Sequence, residues 1–79
     1  MSNIEKYAQV FCNIFEIKHE QLIDLSYQDI PAWDSVGHMA MIASIEEVFD
    51  VMMETDDIID FSSYEKGIRI LTEKYSVQF

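Results

Sequence analysis

The 79-residue chain carries 15 acidic residues against 5 basic ones, a formal net charge of −10, and 49% of its residues are apolar. A chain of this size buries only about 60% of the surface its unfolded form exposes, which excludes a second domain and leaves the fold marginal. The charge excludes ready binding to nucleic acid phosphates or to an anionic membrane surface, since both would be repelled.

In chain order, the opening stretch SNIEKYAQVFCNIFEI places Ile4, Tyr7, Ala8, Phe11, Cys12 and Phe15 at helical spacing, with Ser2 and Glu5 forming a capping box. The single cysteine, Cys12, lies on this apolar face, where it reads as a small buried hydrophobe. It provides neither a disulfide framework nor a Cys-based metal site. No basic segment followed by an apolar run opens the sequence, and no apolar run approaches the roughly 20 residues that span a bilayer. The expectation is a soluble, unprocessed, cytoplasmic monomer. Residues 18–33 break the periodicity, and Leu22, Ile23, Leu25, Ile30 and Trp33 are predicted anchors of a long pinned loop. Pro31 holds Ile30 extended. A loop of this length in a compact domain points to function.

A second helix is predicted from Asp34 or Ser35 to about Phe49. Met41, Ile42, Ile45, Val48 and Phe49 form its core face, with His38 at the edge. The opposite side carries Val36, Met39, Ala40 and Ala43 near the start, then Glu46, Glu47 and Asp50 near the end. An exposed face that is apolar first and acidic further down suits partner docking. Thr55 is predicted to cap a short turn that buries Ile58 and Ile59. The last helix is predicted to begin at Ser62 in a second capping box with Glu65, and to bury Ile68, Leu71 and Tyr75. With glycine and proline confined to Gly37, Gly67 and Pro31, the reading is all-α: one domain over residues 1–79, three main helices and one short one.

The pair Asp34 and Ser35 carries the chemistry. If Asp34 is the N-cap, its carboxylate accepts from the first-turn amides and the Ser35 hydroxyl is left over, pointing outward at the positive end of the helix dipole. A phosphodiester attached there would meet unpaired N–H donors. The alternative is that the two residues share the cap. Two other site readings fail on pattern. His38 lies three residues after Ser35, yet no third group orients it and no oxyanion hole is evident. The acidic run ETDDIID lacks the order, the glycine and the terminal Glu of a calcium loop.

The segment WDSVGHMAMIASIEEVFDV resembles helix II of the acyl and peptidyl carrier proteins, which opens on an Asp-Ser-Leu-type motif and continues to Glu-Glu-x-Phe. Asp34, Ser35 and Val36 match the motif; Glu46, Glu47, Phe49 and Val51 match its downstream end without a gap. The resemblance extends over essentially the whole chain and implies an acyl-carrier-like four-helix bundle that is not an enzyme. It implies 4'-phosphopantetheine on Ser35, transferred from coenzyme A by a phosphopantetheinyl transferase, and a substrate held as a thioester. It also implies an acyl- or amino-acid-activating ligase and a downstream transferase or synthase as partners. Val36 replaces the usual Leu, and Ala40 stands where fatty-acid carriers often have an acid. Trp33 before the motif and Gly37-His38 after it look more like carriers of specialised biosynthetic pathways. The rival reading is an unmodified acidic helical adaptor that binds a basic protein through the same face. That partner preference follows from residues 19–65, which hold twelve acids and no Lys or Arg.

Overall fold

A computed structural model describes all 79 residues and shows four helices: α1 (Asn3–Phe15), α2 (Ser35–Phe49), the short α3 (Thr55–Asp60) and α4 (Tyr64–Lys74). A single 3-10 turn, His19–Gln21, interrupts the long first loop. The capping box at Ser2 forms as its residue types dictate: the Ser2 hydroxyl accepts from the Glu5 amide, and the Glu5 carboxylate accepts from the Ser2 amide at 3.0 Å. α1 and α2 close on left-handed residues without glycine, Glu16 at φ 54° and Asp50 at φ 53°.

The core is aromatic. Tyr7, Phe11, Trp33 and Phe61 are fully buried, joined by Met41, Ile42 and Ile45 from α2 and Leu71 from α4. Phe15 stacks on Trp33 at 5.2 Å between centroids, and Phe11 meets Trp33 edge to face at 5.5 Å. The Tyr7 hydroxyl, buried among these rings, donates to the Tyr64 carbonyl at 2.7 Å. Gly67 makes room for this packing: a Cβ there would overlap the ring of Phe61 and the Tyr7 hydroxyl. Glycine inside a helix costs roughly 0.5–1 kcal/mol relative to alanine, whereas forcing a carbon into a filled core costs about 1–3 kcal/mol, so glycine is the better choice here.

Several boundaries and faces differ from the sequence expectation, each for a physical reason. The N-cap of α4 is Ser63, accepting from the Lys66 amide at 3.0 Å, rather than Ser62. Residues 62–64 are held against the first loop: Tyr27 N–H donates to the Ser62 carbonyl, and Tyr64 N–H donates to the Leu25 carbonyl, both at 2.9 Å. That pairing keeps Ser62 and Ser63 extended and delays the helix, so no box with Glu65 can form. The buried residues of α4 are accordingly Tyr64, Gly67, Ile70 and Leu71; Ile68 and Tyr75 are half-buried. On α2 the buried stripe is narrower than expected. Val48 is exposed, and Phe49 is half-buried against Phe79 of the C-terminal tail. In the loop Leu22, Leu25 and Trp33 are buried, whereas Ile23 is exposed.

The short helix α3 departs most. Glu54, not Thr55, is its N-cap residue, without a side-chain cap, and Ile59 is exposed. The buried residue is Asp57, whose carboxylate accepts from Lys74 Nζ at 2.7 Å and from the Tyr75 hydroxyl at 2.5 Å. Two residues on a helix are about 200° apart, so turning Asp57 onto α4 turns Ile59 to solvent. Tyr75 Oη also accepts from the Glu54 amide at 2.8 Å, which fixes the start of α3.

The hydrogen bond from Lys74, and then that from Tyr75, holds the Asp57 carboxyl below its ordinary 3.8, while Asp57 raises Lys74 above its ordinary 10.5. A depressed carboxyl contributes stability above its unfolded pKa and loses it as pH falls through the folded value. A raised ammonium contributes below its unfolded pKa and loses it as pH climbs through the folded value. Asp57→Asn should therefore be less stable than the parent by urea denaturation at pH 6, with the gap narrowing below pH 3.8 and above pH 10.5. A gap constant across the range would show that the charge on Asp57 does not anchor α3.

Candidate functional site

Ser35 is the first residue of α2. Asp34 before it is extended, and its Oδ1 accepts from the Gly37 amide at 2.8 Å, while its carbonyl accepts from His38 N–H at 2.8 Å. The cap thus falls to Asp34, and the exposed Ser35 hydroxyl is free of it. Its one partner is the Tyr27 hydroxyl at 3.2 Å. The N–H groups of Ser35 and Val36 find no acceptor within the chain, so the helix end beside the hydroxyl keeps its positive character.

The loop is pressed closely onto this helix start. A Cβ on Gly37 would overlap the carbonyl oxygen of Ala32, so only glycine lets residues 30–33 lie against the first turn of α2. That approach delivers Trp33 to the core and sets its indole N–H toward His38, donating to Nδ1 at 2.9 Å. Indole nitrogen can only donate, so Nδ1 accepts and the proton of the neutral imidazole is on Nε2. Nε2–H then donates to the Ile58 carbonyl of α3 at 2.8 Å. With both nitrogens engaged, His38 has no lone pair for a Ser35 proton, which disposes of a Ser-His pair on geometry.

A cleft of about 350 Å³ opens beside Ser35, between the first turns of α2, the loop at Tyr27 and α3. Ile58, Ile59 and Met39 supply apolar walls, and His38 and Phe61 line it as well. Sequence reasoning missed Tyr27. It lies eight residues before Ser35 in an aperiodic loop, and nothing local marks it; only the Ser62 and Trp33 contacts turn its ring toward the helix.

Along α2, Val36, Met39, Ala40, Ala43, Glu47 and Asp50 are all exposed and fall within one arc of about 100°. Glu46 differs from the expectation of a docking residue. It is half-buried, and its carboxylate accepts from the Met53 amide at 2.8 Å, tying the chain after α2 back onto the helix. Cys12 is half-buried on α1, and burial pushes its thiol above its ordinary 9.0.

The two neighbours at the helix start should behave oppositely. Asp34→Ala should lower stability by about 1 kcal/mol through loss of the cap, whereas Ser35→Ala should stay within about 0.5 kcal/mol of the parent, both read by urea denaturation. A larger loss at Ser35 than at Asp34 would reverse the assignment of the cap.

No family model and no solved structure matches the chain. Among curated proteins it is similar to the acyl carrier protein of Buchnera aphidicola subsp. Schizaphis graminum, with 29% identity over 76 residues, spanning 94% of this chain and 96% of the relative. That likeness runs the full length of both proteins and joins the Asp-Ser motif at a helix start and the order of three longer helices and one short one. The chain is thus similar, over nearly its whole length, to an acyl carrier protein.

Proposed function

We propose that this carrier protein tethers an acyl or aminoacyl substrate as a thioester on a 4'-phosphopantetheine arm attached to Ser35, and presents it to partner enzymes of a specialised cytoplasmic pathway. The observation that carries the reading is the Ser35 hydroxyl, which is exposed and relieved of capping by Asp34. The site fits a phosphate-linked group. Two unpaired amides and the helix dipole favour a phosphodiester at this hydroxyl, and the adjoining cleft offers apolar walls to whatever the arm carries. When attached, the arm supplies a terminal thiol for the thioester. The chain's own residues hold the attachment oxygen at the surface and keep it at the tip of a helix.

The partners follow from the chemistry. A phosphopantetheinyl transferase must add the arm, an acyl- or amino-acid-activating ligase must charge it, and a transferase or synthase must accept the cargo. The exposed face from Val36 to Glu47 suits them, with Met39 able to adapt to several surfaces and the acids able to steer basic ones. An unmodified adaptor would use the same face, but it has no need of an uncapped serine.

Intact mass after incubation with coenzyme A and a broad-specificity transferase tests the reading. The parent should gain one arm and Ser35→Ala none; an arm on the variant would move the site, and no gain on the parent would favour the adaptor. For docking, Glu47→Lys should slow the modification several-fold, and raising salt should slow the parent, since charges are screened over about 8 Å at physiological ionic strength. Rates insensitive to both would remove electrostatic steering from the account.

A further inference from the structure

We infer that His38 is a specificity-determining residue: a hydrogen-bonded bar between the cleft beside Ser35 and the core, which restricts the cargo to short acyl groups held in the cleft. The inference rests on the carrier reading of Ser35. Of the residues lining the cleft, three rings also pack on the central aromatic residues: Tyr27, which meets Trp33 at 6.3 Å and contacts Ser35 through its hydroxyl, and then His38 and Phe61. His38 lies parallel to Trp33 at 6.2 Å and 13°, and it meets Phe61 at 6.1 Å and 75°. Phe61 in turn stacks on Phe11 at 6.3 Å. These rings are therefore the wall that a long chain would have to pass.

Neither Phe61 nor His38 yields easily. Phe61 is fully buried and fills the space that Gly67 leaves for it. His38 is bonded at both ring nitrogens, to the Trp33 indole and to the Ile58 carbonyl. Swinging it aside would strand the indole N–H of the fully buried Trp33 without a partner and release the carbonyl of half-buried Ile58 in α3. A side chain of similar size without those bonds would impose no such penalty. The bar also joins α2 to α3, and the Asp57 contacts with Lys74 and Tyr75 hold α3 from its other side, so α3 cannot drift away to widen the cleft while both persist. A short acyl group needs only the existing cleft of about 350 Å³; a chain that runs on from the cleft into the core needs His38 to move.

The test charges the arm-bearing protein with a two-carbon or an eight-carbon chain through a stable amide analogue, and reads amide chemical shifts and melting temperature. In the parent, both chains should shift cleft residues such as Met39 and Ile59, leave the core residues Ile42, Ile45 and Leu71 unmoved, and melt alike. In His38→Ala the eight-carbon chain should shift those core residues and raise the melting temperature above that of the two-carbon form. Trp33→Phe, which keeps a ring but removes the donor to Nδ1, should admit the eight-carbon chain in the same way, and it serves if His38→Ala does not fold. Core shifts with a raised melting temperature in the parent would overturn the inference, as would exclusion of the long chain by both folded variants. Failure of the parent to gain the arm by mass would instead overturn the carrier reading, and the inference with it.

Discussion

The contact on which the site depends is the line of two hydrogen bonds running from the Trp33 indole through the His38 imidazole to the Ile58 carbonyl. It joins three parts of the chain that share no regular secondary structure: the end of the long loop, the first turn of α2 and the middle of α3. Because an indole can only donate, the line fixes the imidazole as neutral with its proton on Nε2. It thereby sets where α3 stands relative to Ser35 and how deep the cleft beside the serine can be. In a chain this small, one partly buried polar line with both ring nitrogens and the indole satisfied favours a unique arrangement where apolar packing alone would allow several.

The aromatic core supports that line from below, and its density rests on two close approaches. Gly37 admits the backbone of Ala32, which carries Trp33 inward; Gly67 admits Phe61 and the Tyr7 hydroxyl. Both glycines sit inside helices, where they cost helix propensity, and both are kept by what a methyl group would strike. The same economy appears at α3. Six residues cannot hold a helix in water by themselves, so its position comes from outside, through His38 on one side and the Asp57 contacts with α4 on the other.

Much of this was legible in the sequence wherever the governing contact is local. The Ser2 and Glu5 box, the start of α2 after Asp34 and its end near Phe49 all follow from residue types a few positions apart. What was not legible depends on distant partners. The start of α4 is delayed to Ser63 by pairing with Leu25 and Tyr27, some 35 residues away in the chain. Asp57 turns inward only because Lys74 and Tyr75 meet it, and Ile59 turns outward as a consequence. Glu46 looks like a surface acid on a helical wheel, yet the chain beyond α2 folds back and gives it the Met53 amide. Tyr27 reaches Ser35 across a loop that has no periodicity to read.

Charge and shape are divided along α2. The first turn carries Ser35 and the cleft; the exposed arc further along carries apolar residues and then acids, free of the core except at Glu46. The central claim is that a neutral His38, held between Trp33 and Ile58, orders this first turn. Long-range proton–nitrogen correlation of the His38 ring, with hydrogen exchange of the Trp33 indole, tests it directly. The account predicts a proton on Nε2, an unprotonated Nδ1 and an indole proton strongly protected from exchange. A proton on Nδ1, or an indole proton exchanging as fast as an exposed one, would contradict it.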